Sequence, residues 1–139
     1  MTEQAPLALI TAEQIDEHAV RQAVETATSG AVVLFAGVVR NHDHGMSVLS
    51  LDYQAHPEAE RVLADCCRQV TAETGVVVAA VHRVGHLEVG DVALYAAAAA
   101  AHRAEAFTAC ELLVNRIKAT VPIWKRQHAA DGSSEWVGL

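Results

Sequence analysis

The chain has 139 residues, 52% of them hydrophobic, and a formal net charge of −7 at pH 7. That length and apolar content fit one domain spanning residues 1–139 with a real core, and the acidic balance argues against a general nucleic-acid binder, which needs a basic surface. Three cysteines, with Cys66 and Cys67 adjacent and Cys110 left over, together with no signal-like N-terminus and no run of 18 strongly apolar residues, predict a cytoplasmic protein without disulfides or membrane spans.

Thr11-Ala-Glu-Gln14 has the form of a capping box, and Ile15, Ala19, Val20, Ala23, Val24 and Ala27 follow at helical spacing until Ser29-Gly30. The valine-rich run Ala31 to Val39 predicts a strand ending at Arg40, and Asn41 to Gly45 a polar turn. Val48 to Tyr53 alternates and predicts a half-buried strand. Pro57 opens a helix with Ala59, Val62, Leu63, Cys66 and Val70 on one face, closed by Gly75. Val76 to Val84 is a β-branched run, Gly85 to Gly90 a connector, and Val92 to Tyr95 the start of another strand. The following run, Ala96 to Ala101, is ambiguous: alanine is the best helix former, but a close-packed strand of small residues competes. From His102 to about Ala119, Ala106, Cys110, Leu113, Val114 and Ile117 make a helical stripe that Pro122 ends. Ile123 to Gln127 is extended, Asp131-Gly-Ser-Ser is a turn, and Glu135 to Leu139 makes a short last strand. Direct strand-to-strand connections around residues 41–47 and 85–91 predict a single α+β domain with a largely antiparallel sheet and packed helices.

Only two of the ten Lys and Arg residues are lysines, and both lie in Lys118-Ala-Thr-Val-Pro-Ile-Trp-Lys125-Arg126. Arginine supplies permanent charge, whereas lysine can lose its proton and act as a nucleophile or base. At its ordinary pKa only about one lysine in 2,500 is neutral at pH 7; neighbouring cations and partial burial raise that fraction. Between Arg103 and Arg126 five cations face two acids, Glu105 and Glu111, so this stretch of an acidic chain is locally basic and suits a small anion or an acidic chain end. Arg40 at a strand end and His102-Arg103 at a helix start are further anion-binding candidates. His42 with His44, and His82 with His86, do not supply the three or four converging ligands that zinc needs, so no metal site is expected. These residues alone describe an α+β domain with a basic anion pocket. They leave open a non-catalytic docking module for an acidic or Gly-Gly peptide tail and a lysine Schiff-base enzyme acting on a phosphorylated carbonyl compound.

Four separated blocks resemble the catalytic, large subunit of molybdopterin synthase. They are Gly30-Ala-Val-Val-Leu-Phe-Ala-Gly-Val-Val-Arg40-Asn-His, Val81-His-Arg-Val-Gly-His-Leu-Glu-Val-Gly-Asp91, Ala101-His-Arg-Ala-Glu-Ala-Phe107 and Lys118 to Arg126, and the likeness runs from about Gly30 to Val137. The resemblance implies an α/β hammerhead fold, which favours the strand for the alanine run. It implies a sulfurtransferase of molybdenum cofactor biosynthesis that converts cyclic pyranopterin monophosphate to molybdopterin. Sulfur arrives as the C-terminal Gly-Gly thiocarboxylate of a small ubiquitin-like carrier subunit, in a heterotetramer built on a homodimer of large subunits. By position, Lys118 and Lys125 match the family's essential lysines. Arg40, His102 and Arg103 match its pterin and phosphate pocket, Phe35 an aromatic near that pocket, and Arg126 completes the basic segment as a substrate-binding residue. No cofactor or metal is implied, and the cysteines need no catalytic role. Gln127 departs from the family, which often has an acid there, so an ion pair steadying the lysine segment is expected to be missing.

Overall fold

In the computed structural model, which describes residues 6–43 and 45–138, the alanine run is a strand. The elements are β1 (Ala8–Thr11), α1 (Glu17–Val24), β2 (Ala31–Val38), β3 (His42–Asp43), β4 (Met46–Ala55), α2 (Ala59–Thr74), β5 (Val77–Arg83), β6 (Gly85–Glu88), β7 (Val92–Ala100), α3 (Arg103–Thr120), β8 (Ile123–Ala129) and β9 (Ser134–Gly138). They make an α+β fold with two sheets. The first has the order β1-β5-β7-β2; the second runs β3-β4-β8-β9, with β6 also paired to β4. Among the described residues one pairing, β1 with β5, is parallel, and the others are antiparallel.

Strand β7 is central in the first sheet and covered on both faces. Leu94, Ala96 and Ala98 point into the core built by α2 and α3, while Tyr95, Ala97 and Ala99 meet Ile15, Val20 and Val24 around α1. Pairing with β2 and β5 along its length satisfies the backbone, and methyl side chains let helices approach from either side. Tertiary packing therefore overrides the helix propensity of alanine. Leu63 from α2 and Leu113 and Ile117 from α3 are fully buried between the helices and this sheet, each contributing roughly 1.5–3 kcal/mol relative to exposure.

Several local expectations are corrected. Thr11 ends β1, a strand the sequence pattern did not reveal, and its hydroxyl accepts from the Glu13 N–H in a turn. The cap of α1 is Asp16, whose carboxylate accepts from Ala19 N–H at 3.1 Å, and the helix ends at Val24, well before Ser29-Gly30. The connector at 85–90 contains β6, which pairs with β4. In β4 a register shift between Val48 and Ser50 breaks strict alternation, so Val48 and Leu51 are both buried while Leu49 is 58% exposed. Gly75 closes α2 in the left-handed conformation, φ 75°, as its position suggested. His44 and Leu139 lie outside the described residues. Among the described residues no helix is long and apolar enough to cross a membrane.

Candidate active site

The buried stripe of α3, Ala106, Ala109, Cys110, Leu113, Val114 and Ile117, fixes the rotation of that helix and brings Lys118 to its last turn, at the seam between the two sheets. Val121 caps the helix through a 3.0 Å bond from its N–H to the Ile117 carbonyl, and Pro122 turns the chain into β8. Strand alternation then sends Lys125 and Gln127 inward beside Tyr53 and Leu51, their register partners on β4. The result is a cavity of about 290 Å³. Lys118, Lys125 and Gln127 line it together with Tyr53 and Leu51 of β4, His82 at the end of β5, Leu94 at the start of β7, and Gly37 to Arg40 at the end of β2.

Charge in this cavity is arranged around Asp43, which is 6% exposed. Its Oδ1 accepts from Arg40 at 3.2 Å, its Oδ2 accepts from the Gln127 amide, and Lys125 Nζ lies 3.9 Å from the same oxygen. Among the described residues no such anion is paired with Lys118. Although the residue as a whole is exposed, partial loss of water around the ammonium and then the charge of Lys125 hold its pKa below the ordinary lysine value. His82 is 2% exposed and its Nδ1 donates to the Arg83 carbonyl at 2.8 Å, leaving Nε2 as an acceptor. Burial, which outweighs that hydrogen bond, pulls its pKa down to about 4, with Lys118 adding to the fall. Tyr53 packs edge-on against the His82 ring at 5.0 Å, and burial pushes its phenol up to about 12. At neutral pH the cavity thus holds a neutral imidazole, a protonated phenol, an anchored lysine and a lysine whose proton is loosened. That set can bind an anionic chain end and stabilise negative charge developing on an acyl group.

Among the sequence-predicted residues, the cavity unites Lys118, Lys125 and Arg40. Phe35 lies near its rim: the ring packs against the α2–α3 core, with Cε1 3.3 Å from where a side chain on Gly37 would begin. Arg126 does not enter the cavity, because neighbours on a strand point to opposite faces; its guanidinium donates to Ser134 Oγ at 2.9 and 3.1 Å on the outer side. His102 and Arg103 are exposed at the start of α3, beside the point where Ala101 meets Gly30. That is the opposite end of the 8-residue β2 from Arg40, roughly 26 Å away at about 3.3 Å per strand residue. Asp43, Tyr53 and His82 were missed. Nothing in their local spacing marks them, since strand register and the β3 turn bring them together. Asp43 supplies the acid that Gln127 lacks by position, so the lysine segment does have its anionic partner. The three cysteines are buried in α2 and α3, and burial raises the Cys67 thiol to about 12 and moves Cys110 the same way, which keeps both from acting as thiolates.

Comparison with known proteins agrees with this fold. Residues 10–120 match the family model described as MoaE protein. A molybdopterin synthase catalytic subunit from Nostoc is 40% identical over 138 residues, covering 97% of this chain and 79% of that protein. The crystal structure of molybdopterin synthase from Staphylococcus aureus superposes with a TM-score of 0.87 at 34% identity, covering 96% of this chain and 97% of that one. A Helicobacter pylori complex of subunits 1 and 2 of molybdopterin-converting factor shares the fold at a TM-score of 0.74 and 18% identity, over 93% of this chain and 89% of that one. By the extent of the family match and its likeness to the Nostoc protein, the chain belongs to the MoaE protein family.

Proposed function

We propose that this chain is the catalytic subunit of a cytoplasmic molybdopterin synthase, a sulfurtransferase that takes sulfur from the C-terminal thiocarboxylate of a small ubiquitin-like carrier and installs it in cyclic pyranopterin monophosphate. The observation that carries this reading is Lys118 at the end of α3, its proton loosened by desolvation and by Lys125, in a cavity whose other cations, Lys125 and Arg40, are tied to Asp43. A carrier tail entering the cavity presents its acyl carbon to Lys118. Once the carrier's sulfur has bonded a pterin carbon, Lys125 and the Tyr53 hydroxyl stabilise negative charge as the acyl carbon–sulfur bond breaks; sulfur stays on the pterin and water replaces it on the acyl carbon, restoring the carrier's carboxylate. Arg40 contributes to phosphate recognition with a fixed, multiply donating guanidinium. Membership of the MoaE protein family supports this chemistry, and the fold shared with the Helicobacter pylori two-subunit complex supports a small protein partner.

Assembly follows from the placement of His102 and Arg103. In one chain they stand too far from Lys118 to share a ligand with it, so their use as substrate contacts requires a second copy. Strand β2 is the edge of the first sheet, with Leu34 and Val38 exposed along it, and Phe107 projects nearby from α3 at 62% exposure. An apolar edge of this kind suits a homodimer interface. The carrier binding once to each protomer gives a 2:2 complex. The test is reconstitution: the purified chain, a thiocarboxylated carrier and the cyclic pterin should yield molybdopterin and sediment as a 2:2 assembly. Carrier binding with no product would reduce the chain to a docking module, and a monomer at micromolar concentration would exclude the shared-site arrangement.

A further inference from the structure

The outer face of the second sheet carries a cluster that the lysine cavity does not use. Asp52 on β4 pairs directly with His86 on β6, and His128 on β8 pairs with Ser50, two residues along the same face. Three adjacent strands therefore set one carboxylate between two imidazoles. Asp52 Oδ1 lies 2.8 Å from His86 Nδ1, its Oδ2 bonds His128 Nε2, and the two rings stand 6.3 Å apart. Behind His86, Nε2 is 3.0 Å from Glu88 Oε1. One ligand atom from each of Asp52, His86 and His128 falls within 4.8 Å of the other two.

We infer that Asp52, His86 and His128 form a binding site for one zinc-class divalent transition-metal ion. Two imidazole nitrogens and a carboxylate oxygen are the donor set such ions take, and the solvent side leaves the fourth position for water. Tetrahedral coordination at 2.0–2.1 Å separates ligand atoms by about 3.3 Å. The side chains must therefore spread by about half an ångström from the 2.8 Å contact of the metal-free state. His86 is more than half exposed and has room for that adjustment. Glu88 has the role a second carboxylate plays behind a metal-bound histidine: accepting from Nε2–H, it fixes the tautomer that leaves the Nδ1 lone pair for the ion. The hydrogen bonds seen between His86, His128 and Asp52 are the protonated counterpart of the site, and metal binding displaces those protons. As exposed ion pairs alone they contribute little to stability. An ion here joins β6, β4 and β8, whose opposite face carries Tyr53 and Lys125, and so stiffens one wall of the cavity. The inference stands independently of the sulfurtransferase reading.

The test titrates chelator-stripped protein with ZnCl2 by calorimetry and with CoCl2 by visible absorption. The expected result is one Zn2+ per chain with proton release, and cobalt bands of tetrahedral type without a thiolate charge-transfer band. His86→Gln, His128→Gln and Asp52→Asn should each weaken zinc binding at least tenfold with unchanged circular dichroism. Glu88→Ala should weaken it by about 10–100-fold. Wild-type binding no stronger than that of a His86→Gln/His128→Gln double variant, or a sulfur charge-transfer band, would overturn the assignment.

Discussion

Acidification should unload His82 from the wall of the cavity, and the cost can be worked out from its position. The imidazole has an ordinary pKa of 6.5 and is held near 4 in the folded chain, chiefly by burial. Between those values the unfolded chain binds the proton and the folded chain does not, so stability rises with pH across the window and is lost as pH falls from about 6.5 toward 4. A shift from 6.5 to about 4, at about 1.36 kcal/mol per pKa unit, sets the loss attributable to this residue at about 3 kcal/mol. His82→Gln isolates it, because an amide can still donate to the Arg83 carbonyl and cannot titrate. Urea unfolding of both proteins at half-unit steps from pH 7 to pH 4 gives two stability curves whose difference cancels the other carboxylates and histidines. The wild type should lose about 3 kcal/mol more than the variant over this range. Parallel curves would refute the placement of a neutral, buried imidazole beside Tyr53 and Lys118.

Asp43→Asn should lower stability by about 1–3 kcal/mol, read by urea unfolding at pH 7, because Arg40, Lys125 and Gln127 all converge on that carboxylate. Arg40→Ala should raise the pterin concentration needed for half-maximal turnover, whereas Arg126→Ala should leave it unchanged, since Arg126 is bonded to Ser134 outside the cavity; equal effects on steady-state kinetics would contradict the strand alternation. Ala97→Leu should destabilise the fold by about 1–3 kcal/mol in thermal or urea unfolding, since residue 97 is fully buried between β7 and the Val20 and Val24 side of α1.

Much of this fold was legible in the sequence because periodicity and turn residues act locally. The α2 and α3 stripes, the Gly75 cap and the break at Pro122 all occupy the expected positions. The alanine run could not be assigned from propensity, because what makes it a strand is the pair of helix layers that cover it. Strand β1 escaped notice for a related reason: four residues gain their identity from parallel pairing with β5, which has no local signature. Lysine scarcity pointed directly at Lys118 and Lys125, and the turn at Pro122 returns both to one cavity. Asp43, Tyr53 and His82 come from three different strands, so no spacing rule could join them. The same holds on the outer face, where Asp52, His86 and His128 are 34 or more residues from Asp52 to either histidine yet neighbours in register. Sequence spacing pairs His82 with His86, yet His82 lines the lysine cavity while His86 bonds Asp52 on the outer face.

In the proposed reaction Lys118 works on the carrier's thiocarboxylate. The most direct test is mass spectrometry of the carrier after a single turnover with the cyclic pterin, comparing the wild-type chain, Lys118→Ala and Lys118→Arg. The wild type should convert the thiocarboxylate to carboxylate, exchanging sulfur for oxygen at the terminal glycine. Both variants should fold, bind the carrier and leave its mass unchanged, because arginine keeps the charge without offering an amine. A folded Lys118→Ala chain that discharges the carrier at the wild-type rate would contradict the account.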